Sequence, residues 1–367
     1  MSPHPAASYR RRRLTALAAL AAVVVVLVVI LSSTGHSAHG HHGTSASASA
    51  KTKARAGTKA ATHPAATPAL SVTGIPVGRW TSLPPSPTPR GEVSAARIGN
   101  VVYVVGGFDS TGHTTSEVQR LDLVSGRWST VAAMPEPLNH MSAVGYGGRL
   151  YVVGGYSQPS DTSAGAVRGF WRYDPASGRW SAMPDAPVAR AAAGAAVLGH
   201  RLYVAGGRND TTAALSTLAI FDFDTGRWSE GPSLAHAREH VAAVAAGGGV
   251  WLLGGRVSGV GSTDVERYRP AAAAWQSMSP LPAARSGFQA VSVNNSVFAV
   301  GGEDGASTVP EVDRLDLRTG QWKNVGDLPV PRHGLGLVAD GPLVFAIDGG
   351  PQPGLTMSRT VERLRVG

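Results

Sequence analysis

Two patterns of apolar and polar positions divide the 367-residue chain. From Leu14 to Leu31 every position but Thr15 is apolar, directly after the basic cluster Arg10, Arg11, Arg12 and Arg13. As a helix that run spans about 27 Å, close to the hydrocarbon thickness of a bilayer. It is longer than the roughly 7–15 apolar residues of a cleaved leader and lacks a good small-x-small site. The pattern predicts an uncleaved transmembrane signal anchor over 14–31. Residues 1–13 then stay cytoplasmic and the remainder lies outside the plasma membrane. Residues 32–72 hold almost no large apolar side chains, so they are expected to form a disordered tether. The histidines His36, His39, His41 and His42 in this stretch are a candidate chelating cluster, with a solvated low-complexity segment the simpler reading.

From residue 75 onward the pattern is one of short β-rich runs. VVYVV at 101–105, RLYVV at 149–153, RLYVA at 201–205, VWLL at 250–253, SVFAV at 296–300 and LVFAI at 343–347 each come before a Gly pair. The pairs begin at Gly106, Gly154, Gly206, Gly254, Gly301 and Gly349, and Trp80, Trp128, Trp180, Trp228, Trp275 and Trp322 precede them by 26 or 27 residues. Upstream of each run lies a small-residue strand, joined to it by hairpin signals such as Gly147-Gly148 and Asp340-Gly341. Downstream come a loop, a third strand, a tight turn and the tryptophan. Each unit is therefore expected to be a four-stranded antiparallel meander, and the fold all-β. The last unit stops after its third strand at Arg365, while a lone fourth strand begins at Trp80. Pairing those two would close a ring and remove the exposed sheet edges.

Composition narrows the chemistry. The absence of Cys excludes disulfides, thiolate metal sites and Cys nucleophiles. The net charge of +9 is local: eight of the 33 basic residues lie in 1–69 with no acid, leaving 25 against 24 acidic residues. A nearly neutral folded part gives no reason to expect nucleic-acid binding.

The glycine doublet, the third-strand Asp after an aromatic or Leu, and the phased Trp together resemble the Kelch repeat over about residues 75–367. The resemblance implies a six-bladed Kelch β-propeller. Mild departures are Ala273-Ala274 in place of a turn glycine and Tyr268-Arg269 without the Asp. It also implies a binding module for a protein segment or a cell-envelope glycan, without cofactor or metal, and a monomer is expected. Among Kelch-containing enzymes, galactose-oxidase-like copper chemistry needs a Tyr–Cys crosslink that a Cys-free chain cannot make. Sialic-acid mutarotases remain the enzymatic alternative, with Glu239 and His240 a candidate acid/base pair.

The longer loops of such blades gather at one mouth of the ring, where function is expected. Arg90, Arg190, Arg238, Arg285 and Arg332 stand 16 or 17 residues before the Gly pairs, and one unit has Leu138-Asn139-His140 instead. Placed at the start of the innermost strand, these arginines are candidate ligand-binding groups for carboxylate or sulfate. The architectural alternative is bonding to carbonyls of their own or the next blade. His140 and the unpaired Trp171 are further ligand-binding candidates. Asp109, Asp161, Asn209, Asp210, Glu303 and Asp304 lie just beyond Gly pairs, where Asx turns are the local explanation. His140, His240 and His333 share nearly equivalent positions but are expected to sit too far apart around the ring to chelate one metal.

Overall fold

Hairpin turns and alternating small and bulky strands organise the chain into repeated antiparallel sheets. The computed structural model describes residues 75–158, 165–211 and 214–367. Six four-stranded sheets lie within them. Blade 1 is built from Ser94–Ile98, Val101–Val105, Val118–Asp122 and Trp128–Thr130, each strand antiparallel to the next. Blades 2 to 5 repeat that order over residues 142–182, 194–231, 242–277 and 289–327. Blade 6 takes Gly336–Asp340, Leu343–Ile347 and Val361–Arg365, and its fourth strand is Trp80–Ser82 from the other end of the propeller. Trp80 stands opposite Leu364 and Ser82 opposite Glu362. The ring thus closes as its ends predict. A small extra hairpin, Arg256–Val257 with Val260–Gly261, decorates blade 4.

Among the described residues no helix is long and apolar enough to cross a membrane. The expected anchor at 14–31, its flanks 1–13 and 32–72, and Asp161 lie outside the described residues.

Packing follows from strand composition. The second strand of each blade is sandwiched between neighbours, so Val102, Val104, Leu150, Val152, Leu252, Val297 and Val344 are fully buried. Small first-strand residues (Ala95, Ala143, Ala195, Ala243 and Ala290 among them) leave an axial channel segment of about 140 Å3. The phased tryptophans stitch neighbours together. Nε1 of Trp128, Trp180, Trp228, Trp275 and Trp322 donates to the carbonyl of Pro84, Ala132, Pro184, Pro232 and Ser279 respectively, each in the preceding blade, at 2.7–3.2 Å.

The glycine doublet has a steric cause. Its first residue has φ between 54° and 72° in blades 1 to 5. A Cβ there would also lie within 2.3–2.8 Å of a carbonyl oxygen of the next blade, such as Leu138 O beside Gly106. In blade 6 the register differs from the apparent Gly349-Gly350 pair. Gly349 N donates to Arg90 O, as Gly107 N does to Leu138 O, so the structural doublet is Asp348-Gly349. Asp348 takes the left-handed conformation at φ 56°. With that correction the arginine precedes the doublet by 16 residues in all five blades that have it.

Candidate functional site

Two residues after each arginine position the chain turns through a left-handed conformation at the axis. The residues are Glu92, His140, Ala192, His240, Gly287 and Gly334, with φ of 52°, 52°, 53°, 53°, 62° and 56°. They form a closed circle of backbone hydrogen bonds. His140 N donates to Glu92 O (3.3 Å), Ala192 N to His140 O (2.8 Å) and His240 N to Ala192 O (2.8 Å). Gly287 N then donates to His240 O (3.0 Å) and Gly334 N to Gly287 O (2.8 Å), and Val93 N closes the circle on Gly334 O (3.1 Å). The positive φ lets all six C=O groups, and every N–H but that of Glu92, bond the adjacent blades. It also places the side chains of Glu92, His140 and His240 in the wall of a cavity of about 360 Å3 at the mouth. Phe108, Arg256, Glu303, His333 and Leu355 line the same cavity.

The polar groups of this cavity are mutually bonded. His140 Nε2 lies 3.2 Å from Glu92 Oε2, and His333 Nδ1 lies 2.9 Å from Glu92 Oε1. His240 Nδ1 is 2.7 Å from Glu239 Oε2. Arg256 joins three groups, with Nε 2.9 Å from Glu239 Oε1, one terminal nitrogen 2.7 Å from Glu303 Oε1 and the other 3.2 Å from His240 Nε2. The imidazoles of His140 and His240 meet edge to face with centroids 4.8 Å apart.

Burial and charge separate the protonation states. Burial opposes ionisation of Glu92, but the His140 and His333 imidazoles outweigh it and hold the carboxyl far below the usual range. Burial likewise opposes the His333 cation, yet the Glu92 carboxylate raises its pKa to about 9. His140 goes the other way: burial dominates and pushes it down to about 4. For Glu239, burial is again outweighed, here by His240 and Arg256, which bring it to about 2. At neutral pH the wall therefore presents anionic Glu92, cationic His333 and a neutral His140, with anionic Glu239 behind His240 and Arg256.

The candidate arginines are elsewhere. Arg90, Arg190, Arg238, Arg285 and Arg332 are 0–1% exposed, and none lines the cavity. Each guanidinium turns into its own blade. Arg90 donates to the carbonyls of Val104, Gly106 and Glu117, and Arg190 to those of Val204, Gly206 and Thr217. Arg238, Arg285 and Arg332 add carboxylate partners in the third strand: Glu266, Asp313 and Glu362. The architectural alternative accounts for all five, because the doublet leaves carbonyls inside the blade that need donors.

Trp171 does not line the cavity either. It holds the third-strand position that Gln119, Ala219, Glu266, Asp313 and Glu362 hold in other blades, and its Nε1 donates to Glu136 Oε1 at 2.8 Å. In blade 2, Leu138 and Trp171 thus replace the arginine and its partner together.

Asp109, Asn209 and Asp304 accept from backbone N–H groups two to four residues on, as Asx turns do. Asp210 instead accepts from Gly165 N and Ala166 N of blade 2. Of the loop candidates among the described residues, only Glu303 joins the cavity.

The expectation for the histidines needs correction. His140 and His240 approach closely because only the methyl of Ala192 stands between them in the circle, and His333 reaches Glu92 from the next position outward. Sequence reasoning missed Glu92 and Arg256. The signal available was positional: Glu92 and His140 stand two residues after an arginine site, in register with His240.

The profile of the KLHDC2/KLHL20/DRC7 Kelch-repeats domain matches residues 64–233 and 183–350. No curated protein matches the chain. With six meander blades, phased interblade tryptophans and a profile match across most of its length, the chain belongs to the Kelch-repeat family of β-propellers.

Proposed function

We propose that the chain is a membrane-tethered binding module whose axial cavity takes a segment of a partner protein outside the cell. The carrying observation is the cavity itself, with its alternating charges and the apolar Phe108 and Leu355. Its volume of about 360 Å3 is near the lower end of small-ligand pockets, which suits a chain end or a few side chains rather than a folded surface. Kelch propellers generally bind proteins at the blade face. The extracytoplasmic placement rests on the apolar run 14–31 behind its arginine cluster.

The test screens the full-length chain in detergent against a displayed peptide library and a glycan array. Enriched peptides whose binding falls at least tenfold in the Arg256→Ala, Glu303→Ala double variant support the reading. Enrichment indifferent to that variant, or of glycans alone, would overturn it. Topology is tested by protease treatment of intact cells, which should digest the propeller without lysis.

A second reading has one observation in its favour. The Glu239–His240 pair, 2.7 Å apart with Arg256 on the other carboxylate oxygen, has the form of an acid/base dyad in a sialic-acid-mutarotase-like propeller. Accelerated anomer exchange of a reducing sugar, seen by NMR and lost in His240→Asn, would support it.

A further inference from the structure

We propose that Glu92, His140 and His240 bind one divalent first-row transition-metal ion, of the zinc class, at the axis of the propeller. Their donor atoms all lie within 4.8 Å of one another. Tetrahedral zinc, with bonds of about 2.0–2.1 Å, sets donors roughly 3.3–3.4 Å apart. The cluster closes to that size with side-chain movements of about 1.5 Å or less. Two imidazoles and one carboxylate suit zinc or iron(II) and not the all-oxygen shells of calcium or magnesium.

The outer shell is already built. Nδ1 of His140 lies 2.6 Å from Asn139 Oδ1, and Nδ1 of His240 lies 2.7 Å from Glu239 Oε2. Both partners are acceptors; for His240, whose Nε2 faces the Arg256 donor, the proton sits on Nδ1 and Nε2 keeps a lone pair, whereas Nε2 of His140 faces the Glu92 carboxylate and gives up that contact to a metal ion. Glu92 has one oxygen committed to His333 and turns the other toward His140. Metal ligands are commonly oriented by such second partners.

The backbone fixes where these side chains start. Gly287 and Gly334 satisfy the same left-handed position without a side chain, so the circle itself needs only glycine. Glu92, His140 and His240 occupy it at a conformational cost of about 1 kcal/mol each, as Ala192 does with a methyl alone. Gly334 leaves the room Glu92 uses, since a Cβ there would lie 2.5 Å from Glu92 Cδ. One contact must be exchanged: Arg256 now donates to His240 Nε2, and on metal binding it would keep Glu239 and Glu303 alone. The fourth coordination position then faces the cavity. This inference does not depend on what the cavity recognises.

The test titrates Zn2+ alone into the full-length chain by calorimetry, with His36, His39, His41, His42 and His63 all changed to Ser so that the histidines of residues 32–72 cannot contribute. One ion per chain is expected. His140→Gln or His240→Gln should weaken binding by about 100-fold or more, and Glu239→Gln by about tenfold while leaving the three donors in place. His200→Gln, in a hairpin turn of the opposite face, should change nothing. Co2+ in place of Zn2+ should give the intense visible bands of tetrahedral coordination. Metal-free melting curves check that each variant folds, and Glu92→Gln repeats the test for any that does not. Absence of one-to-one binding, or binding equal in His240→Gln and its parent, would overturn the proposal.

Discussion

At the scale of single residues, the five buried arginines are architectural. A guanidinium at 0–1% exposure is tolerable only if most of its donors are used, and the doublet and third-strand groups take most of them, leaving Nε of Arg90, Arg190 and Arg285 and one terminal nitrogen of Arg238 without a partner. Arg285 is bound to Asp313, itself 2% exposed. Arg285→Ala should therefore cost about 3–5 kcal/mol in denaturant unfolding, because it strands a buried carboxylate. Asp348 poses the opposite problem. Burial raises its pKa to about 7 despite Arg90 and the Ser86 hydroxyl. The folded state thus holds this proton more tightly than the unfolded chain, whose Asp titrates near about 3.9. The sign follows: the carboxyl costs nothing below about pH 4, and its cost grows until about pH 7. Asp348→Asn should match the parent's stability at pH 4. It should exceed it by an amount on the order of 4 kcal/mol at pH 8. A pH-independent difference between the two melting curves would contradict this account.

At the scale of elements, the strands and the interblade tryptophans were legible because each recurs in phase and each answers a local need. Trp228 packs on Phe170 and Phe221 and donates to Pro184 O at 2.7 Å. Trp228→Phe keeps most of the packing and should cost about 1 kcal/mol in thermal unfolding, the value of one net hydrogen bond. The axial cluster was not legible in the same way. Glu92, His140 and His240 are 48 to 148 residues apart, and what joins them is a left-handed turn that letters alone do not announce. The arginines misled for a related reason: a carbonyl deficit repeated in every blade produces the same regular spacing as a ligand-binding ring. The doublet of blade 6 was misplaced by one residue because Asp348 occupies a glycine position. Blade 2 offers a test of this equivalence. Leu138→Arg alone buries an unpartnered cation and should cost more than about 2 kcal/mol. Adding Trp171→Glu should recover at least about 1 kcal/mol of it, as residues in contact couple by such amounts.

At the scale of the whole propeller, stability depends on joining the two ends of a circular sheet array. Blade 6 is three strands from one end and one from the other, and Trp80–Ser82 covers the edge of Val361–Arg365. Trp80 packs with Val325 against Leu328, Leu335 and Leu364, so one short strand ties blade 6 to blade 5 as well. Removing residues 75–82 from the full chain should therefore do more than delete three residues of sheet. It uncovers Glu362, Leu364 and the backbone donors and acceptors of a five-residue edge, which invites pairing between copies. The melting temperature should fall, and light scattering should show dimers or larger species at concentrations where the parent chain remains of constant mass. Thr81→Pro makes the same point with one substitution. It removes the backbone N–H of the residue opposite Arg363, and the proline ring clashes in the ladder. If closure is the source of cooperativity, both changes should broaden unfolding into separate transitions for blade 6 and the rest. A single sharp transition, merely shifted, would mean that interblade packing alone holds the ring.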